Sequence, residues 1–145
     1  MGLWNFVKNA GKKLTGRAEA ADAPDIDALL AEIEELGLEA SGMDVSVEGD
    51  KVRVKGKAIS QEAKEKVILA VGNIKGVAAV EDDVEGDDPV FHTVQKGDTL
   101  SAIAKKTLGN ANRYPEIFEA NKPMLTHPDK IYPGQVLRIP QDTKA

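Results

Sequence analysis

Two histidines, His92 and His127, are the only imidazoles in this chain of 145 residues, and there is no cysteine. Thiol catalysis, disulfides and cysteine-ligated metals are therefore excluded. The histidines fall beside expected turns and strand ends, without the spacing that sets two imidazoles on one helix face around a metal. Both are expected at the surface. The densest set of oxygen ligands is Asp82, Asp83, Glu85, Asp87 and Asp88. It lacks the alternating ligands and closing glutamate of a calcium loop, and like charges this close favour an extended run. The side chains thus offer little for catalysis. The main chain offers more. In Gly72–Val77, GNIKGV, two glycines bracket a short turn, and glycine tolerates bends that leave carbonyl oxygens exposed around a ligand.

The elements that must position this loop are legible on either side of it. Ser60 is a good helix N-cap, with Glu62 in the first turn where the dipole favours an acid. Ala63, Val67, Val71 and Ile74, with Ala70 beside them, make an apolar stripe at helical spacing. Gly72 and Gly76 end the helix, and Val77–Val84 is an expected strand. Upstream, a helix is expected over Ile26–Leu36, capped by Asp25 and stopped by Gly37, with Ile26, Leu29, Leu30, Ile33 and Leu36 on its apolar face. Val45/Val47 and Val52/Val54 alternate with polar residues about the turn Glu48–Lys51, the signature of a hairpin. The order αββαβ implies a three-stranded sheet with two helices on one face.

The N-terminal segment carries Leu3, Phe6, Val7, Ala10 and Leu14 at helical spacing, with Trp4 near the edge. Residues 1–14 are read as a short amphipathic helix, with Gly11 a break. Such a helix can dock on the domain that follows or lie on a membrane surface, and so short and lightly charged a segment favours docking. The myristoylation pattern fails, because Phe6 stands where Ser or Thr is needed. No apolar run approaches the roughly 18 residues of a membrane span, and no secretory signal is apparent, so a cytoplasmic location is expected. Residues 15–24 read as a linker, and so do residues 86–89. Charge is uneven: residues 19–88 hold 19 acids against 7 bases, while residues 89–145 hold 8 bases against 5 acids. The acidic middle disfavours nucleic acid and favours cations.

Beyond the second linker, Phe91–Val94 reads as a strand and Lys96–Asp98 as a turn. Asp98 is expected to cap a helix over Thr99–Leu108, which Gly109 ends. A second helix is expected over Tyr114–Asn121, with Pro115 in its first turn, and a last strand over Val136–Ile139 after the turn Tyr132–Gln135.

Two resemblances follow from these residues. The hairpin with Gly49 and Gly56, the SQEAKEKV helix and the VGNIKGVAAVEDDV loop and strand resemble the BON domain, here residues 25–85. FHTVQKGDTLSAIAKKTLGN, EIFEANKP and IYPGQVLRIP resemble the LysM domain, a βααβ module, here residues 90–141. LysM domains bind glycans containing N-acetylglucosamine. That resemblance implies a groove formed by Gly97, Asp98, Thr99, Leu100 and Asn121, with Ile131 and Tyr132 opposite. Each of these residues also has a purely structural reading, since Asp98 can cap and Leu100 can pack. The overall expectation is an α+β chain of two small domains preceded by the N-terminal helix.

The pairing of these domains behind MGLWNFVKNAGKKL resembles the small potassium-binding proteins of bacteria. That resemblance implies a monovalent-cation sensor that binds potassium, mainly through its BON domain, and changes conformation on doing so; a non-enzymatic monomer is expected. Potassium is a large monovalent ion, and rings of backbone carbonyls can replace its water shell. Carboxylates would recruit harder divalent ions. Two places offer such carbonyls: the end of the N-terminal helix before Gly11 and the Gly72–Val77 loop. The expected ligands are main-chain oxygens of Val7, Ala10, Gly72, Ile74 and Val77, with the N-terminal helix docked over the loop. A flexible carbonyl cage also admits rubidium, caesium or ammonium. Two other readings compete: capture of peptidoglycan fragments by the LysM half, and a membrane-surface stress protein using the N-terminal helix.

Overall fold

The computed structural model describes residues 2–6, 26–38, 40–74, 76–86, 90–122 and 124–139. The chain divides into two compact units, Met1–Asp88 and Pro89–Ala145.

The first unit holds β1 (Gly2–Asn5), α1 (Ile26–Glu35), β2 (Met43–Glu48), β3 (Lys51–Gly56), α2 (Gln61–Gly72) and β4 (Ala79–Val84). From α1 onward this is the expected αββαβ order. The sheet, however, has four strands in the order β1-β4-β3-β2. β2 and β3 form the antiparallel hairpin, α2 crosses over to make β3 and β4 parallel, and β1 pairs antiparallel with the outer edge of β4.

The first residues thus correct the expectation of an N-terminal helix and a three-stranded sheet. The operative period at the start of the chain is two, not 3.6. Leu3 and Asn5 are exposed, whereas Trp4 is half-buried and Phe6 buried. Alternation of this kind suits a strand that is covered on one face. Without β1, the outer edge of β4 would present unpaired N–H and C=O groups. Val7, Ala10 and Leu14 of the expected helix lie outside the described residues, as do residues 15–25 and 87–89.

The helices cover one face of this sheet. α1 packs on α2 and β2, and α2 on β3 and β4. Leu29 and Ile33 of α1, Val67, Ile68, Leu69 and Val71 of α2, Val52 and Val54 of β3, and Val80 and Val84 of β4 form the core. Leu30, expected on the apolar face of α1, is exposed.

The second unit holds β5 (Phe91–Thr93), α3 (Leu100–Leu108), a 3-10 turn (Ala111–Arg113), α4 (Tyr114–Ala120) and β6 (Val136–Arg138), the expected βααβ order. β5 and β6 pair antiparallel. Val94, Leu100, Ile103, Ala104, Ile117, Leu125, Leu137 and Ile139 make its core.

Candidate metal site

α2 delivers the glycine loop. Ser60 caps its start, its Oγ accepting the Ala63 N–H at 3.0 Å, and Glu62 lies in the first turn. The helix ends at Gly72, where the Asn73 N–H closes on the Leu69 carbonyl at 2.9 Å. The Gly72 carbonyl is therefore a terminal one, with no further helical turn to receive it. The chain then bends: the Val77 N–H donates to the Ile74 carbonyl at 3.1 Å, and Gly76 adopts φ +106°, a conformation that side-chain-bearing residues avoid.

Two contacts fasten the exit of the loop. The Ala78 N–H donates to the Asp50 carbonyl at 2.8 Å, and the Phe6 N–H donates to the Ala78 carbonyl at 2.9 Å. The Phe6 ring lies directly against Gly72, so that a Cβ at Gly72 would collide with the ring carbons. Phe6, Ile74 and Val77 are all buried. Among the expected ligands, Gly72, Ile74 and Val77 therefore share one buried bend. Val7 and Ala10 lie outside the described residues, but Val7 is bonded to Phe6, which sits on that bend.

The main-chain oxygens of this bend are uncharged and lie among buried apolar side chains, and the Ile74 oxygen keeps a second lone pair beyond its bond to Val77. Among the described residues, no three of His, Asp and Glu converge to hold a metal.

Within β4 the acidic residues do not share a face, because the strand sends alternate residues to opposite sides of the sheet. On the outward face Glu81 lies opposite Arg53, which donates to it through Nε and Nη2 at 3.2 and 3.1 Å. Lys51 also reaches Glu81, at 3.6 Å, and Asp83 lies 3.8 Å from Arg53. The Arg53 hydrogen bond holds the Glu81 carboxyl below the ordinary carboxylate value, and the same bond raises the Arg53 guanidinium.

Asp82 faces inward and is fully buried, as is Lys64 of α2, 3.6 Å away. Asp82 Oδ1 accepts the Val84 N–H at 3.0 Å, and Oδ2 accepts the Trp4 indole N–H at 3.4 Å. Sequence reading passed over this pair, although its signals were present. Asp82 stands midway between the inward Val80 and Val84, and Lys64 precedes Val67 and Val71 on the apolar stripe of α2.

In the second unit, the Val94 N–H donates to the Gln135 carbonyl and the Gly134 N–H to the Val94 carbonyl, both at 2.8 Å. These bonds tie the loop after β5 to the loop before β6. The residues expected in a glycan groove are distributed around them. Gly97 lies exposed in the first loop. Thr99, rather than Asp98, caps α3, its Oγ1 accepting the Ala102 N–H at 3.1 Å. Asp98 instead closes its own turn, with Oδ2 accepting the Gln95 N–H at 2.9 Å and lying 3.2 Å from His92 Nε2. The Gln95 bond, then His92, hold the Asp98 carboxyl below its ordinary value. His92 is thus tied into this turn with a largely buried side chain, not a free surface residue, whereas His127 is exposed.

Leu100 belongs to the core, and Ile131 packs against it. Tyr132 is half-buried, which pushes its phenol up. Asn121 is buried and committed. Its Nδ2 donates to the carbonyls of Ile117 and Arg138 at 2.7 and 2.9 Å, and its Oδ1 accepts the Arg138 N–H at 2.7 Å.

Comparison with known proteins agrees with this division. A BON domain model matches residues 14–87 and a LysM domain model matches residues 92–140. The chain is 50% identical over 149 aligned residues to the potassium binding protein Kbp of Escherichia coli O6:H1, covering 98% of this chain and 100% of that protein. An uncharacterized protein of Deinococcus radiodurans is 36% identical over 61% of this chain and 29% of its own length. An endolysin of Bacillus phage B103 is 31% identical over 56% of this chain and 29% of its own length. Neither matched domain family is an enzyme family, and no described helix is long and apolar enough to cross a membrane. Two domains in this order, with a match along nearly the whole length of both chains to the Escherichia coli protein, place the chain in the Kbp family of BON–LysM proteins.

Proposed function

We propose that this protein is a cytoplasmic potassium sensor, binding one ion through main-chain oxygens of the Gly72–Val77 loop and of the segment that follows Phe6. The observation that carries this reading is the placement of Phe6. Its N–H is fixed to Ala78 and its ring rests on Gly72, so the first described segment of the chain ends on the bend that holds Gly72, Ile74 and Val77. The name of the Escherichia coli relative supports potassium as the ion. Gly72, Ile74 and Val77 supply oxygens from the first unit, and Val7 and Ala10 complete the set from the N-terminal side. Rubidium, caesium and ammonium compete for a cage of this kind, and sodium does not. The chain acts as a monomer.

An ion that joins the N-terminal segment to the loop favours the closed arrangement over the open one. Binding therefore compacts the chain by shifting that equilibrium. The direct test is thermal unfolding at constant ionic strength with sodium replaced stepwise by potassium. A ligand of the native state raises the midpoint with its concentration. The midpoint is expected to climb with potassium and to stay level in sodium, while equal curves in both salts would remove the reading. Deleting residues 2–11 is expected to abolish the potassium response.

A second reading concerns the LysM unit, which binds peptidoglycan fragments. Its support is the LysM match together with the hydrogen-bonded pairing of the two loops around Val94. Titration with N-acetylglucosamine oligomers, followed by amide shifts at Gly97, Thr99 and Tyr132, tests it.

A further inference from the structure

One carboxylate in the first unit is bonded to three elements at once. Asp82 occupies a core-facing position of β4 between Val80 and Val84, with no exposed surface. It accepts the Val84 N–H on its own strand and the Trp4 indole N–H from β1, and it faces the equally buried Lys64 of α2 at 3.6 Å. An ion pair taken fully out of water gains little over two well-packed apolar residues of the same volume. What such a pair does supply is direction, because a hydrogen-bonded charge tolerates fewer alternative packings than a methyl group.

The elements that meet at Asp82 meet again at the glycine loop. α2 runs from Lys64 to Gly72, and β1 leads from Trp4 to Phe6. The far ends touch where the Phe6 ring covers Gly72. The result is a closed frame, Asp82–Lys64–Gly72–Phe6–Trp4–Asp82, with the pair at one corner and the carbonyl bend at the other.

We infer that Asp82 and Lys64 are positioning residues for the proposed cation site, setting the register of α2 and β1 so that Phe6 meets Gly72 at the glycine bend. This rests on the potassium reading above. By linkage the dependence is mutual: if the pair holds the arrangement that the ion binds, the ion holds the pair.

The test uses the full chain and a double variant that removes both charges, Lys64→Met with Asp82→Leu. Its midpoint in sodium is expected to fall, because the Val84 and Trp4 N–H groups lose their acceptor, so the potassium response is read against the variant's own sodium midpoint. The potassium concentration at half-effect is expected to increase roughly tenfold or more, the usual consequence of losing an outer partner of a metal site. The pair Lys64→Gln with Asp82→Asn, which keeps neutral hydrogen-bonding groups at both positions, should recover part of that loss. A Met/Leu variant with the parent's potassium dependence overturns the inference.

A second measurement needs no variant. Trp4 is the sole tryptophan, so its indole N–H gives one resonance. Potassium, but not sodium, should slow its exchange with solvent, and an unchanged rate through a titration that raises the midpoint also overturns the inference. A parent chain whose midpoint ignores potassium removes the underlying reading instead, so the two failures are distinguishable.

Discussion

At the scale of single residues, the site depends on a missing side chain. Gly72 does not need a left-handed backbone; it needs to have no Cβ, because the Phe6 ring occupies that space. Gly72→Ala should therefore cost about 1–3 kcal/mol, the usual range for overpacking a filled position. Phe6→Ala should cost about 3–5 kcal/mol through the void it leaves. The two should not add, because the small residue at position 6 makes room for the new methyl. Urea unfolding of the four members of this cycle measures the coupling, and additive costs would mean that ring and glycine act separately. Asn121 is the corresponding residue of the second unit. Asn121→Ala leaves the Arg138 amide and carbonyl without their clamp and should cost about 1–3 kcal/mol, read as faster amide exchange at Arg138. Asp98 sets a pH dependence. Its folded value lies below the ordinary carboxylate value, so its contribution is fully present above that value and is lost as pH falls through the lower one. Acid titration followed at the Gln95 amide should show that turn loosening below the ordinary carboxylate range, and Asp98→Asn should abolish the transition.

At the scale of elements, the hairpin, the crossover helix and the element order from α1 onward were legible because these elements carry clear periods bounded by turn or cap residues. Ser60 and Gly49 mark boundaries that the structure repeats. The first five residues were not legible as a strand. Leu3, Phe6, Val7 and Ala10 satisfy a helical spacing, while Trp4 and Phe6 satisfy a strand spacing, and in so short a segment both hold at once. The decision lies 74 residues or more away, in the open edge of β4, and reaches β1 only through tertiary hydrogen bonds. Carbonyl ligands leave no side-chain signature either, so the loop could be located from its glycines but its partners could not be read from pattern. Asp98 was misassigned by one position because Asp and Thr are both good caps. The structure gives the cap to Thr99, leaving the carboxylate to the preceding turn. The outward ladder of Lys51, Arg53, Glu81 and Asp83 is a solvent-facing feature, and such pairs are screened by salt. Glu81→Gln should leave the potassium response intact, which can be checked in the same sodium-for-potassium unfolding series.

At the scale of the whole molecule, the proposed closure predicts a measurable change in size. Small-angle scattering at constant ionic strength should give a smaller radius of gyration in potassium than in sodium, and superimposable profiles would remove the compaction step. The pairing of Gly2 with Asp82 also has a consequence for how the protein is made. The first strand to leave the ribosome is the last of its sheet that can be placed, because its partner follows some 80 residues later. At roughly 5–20 residues per second, the N-terminal strand waits on the order of several seconds for β4. A nascent chain stalled before β4 emerges holds the helices and the hairpin but no place for Phe6. The bend that Phe6 covers is thus completed in a single late step of synthesis, when the beginning of the chain closes onto its middle.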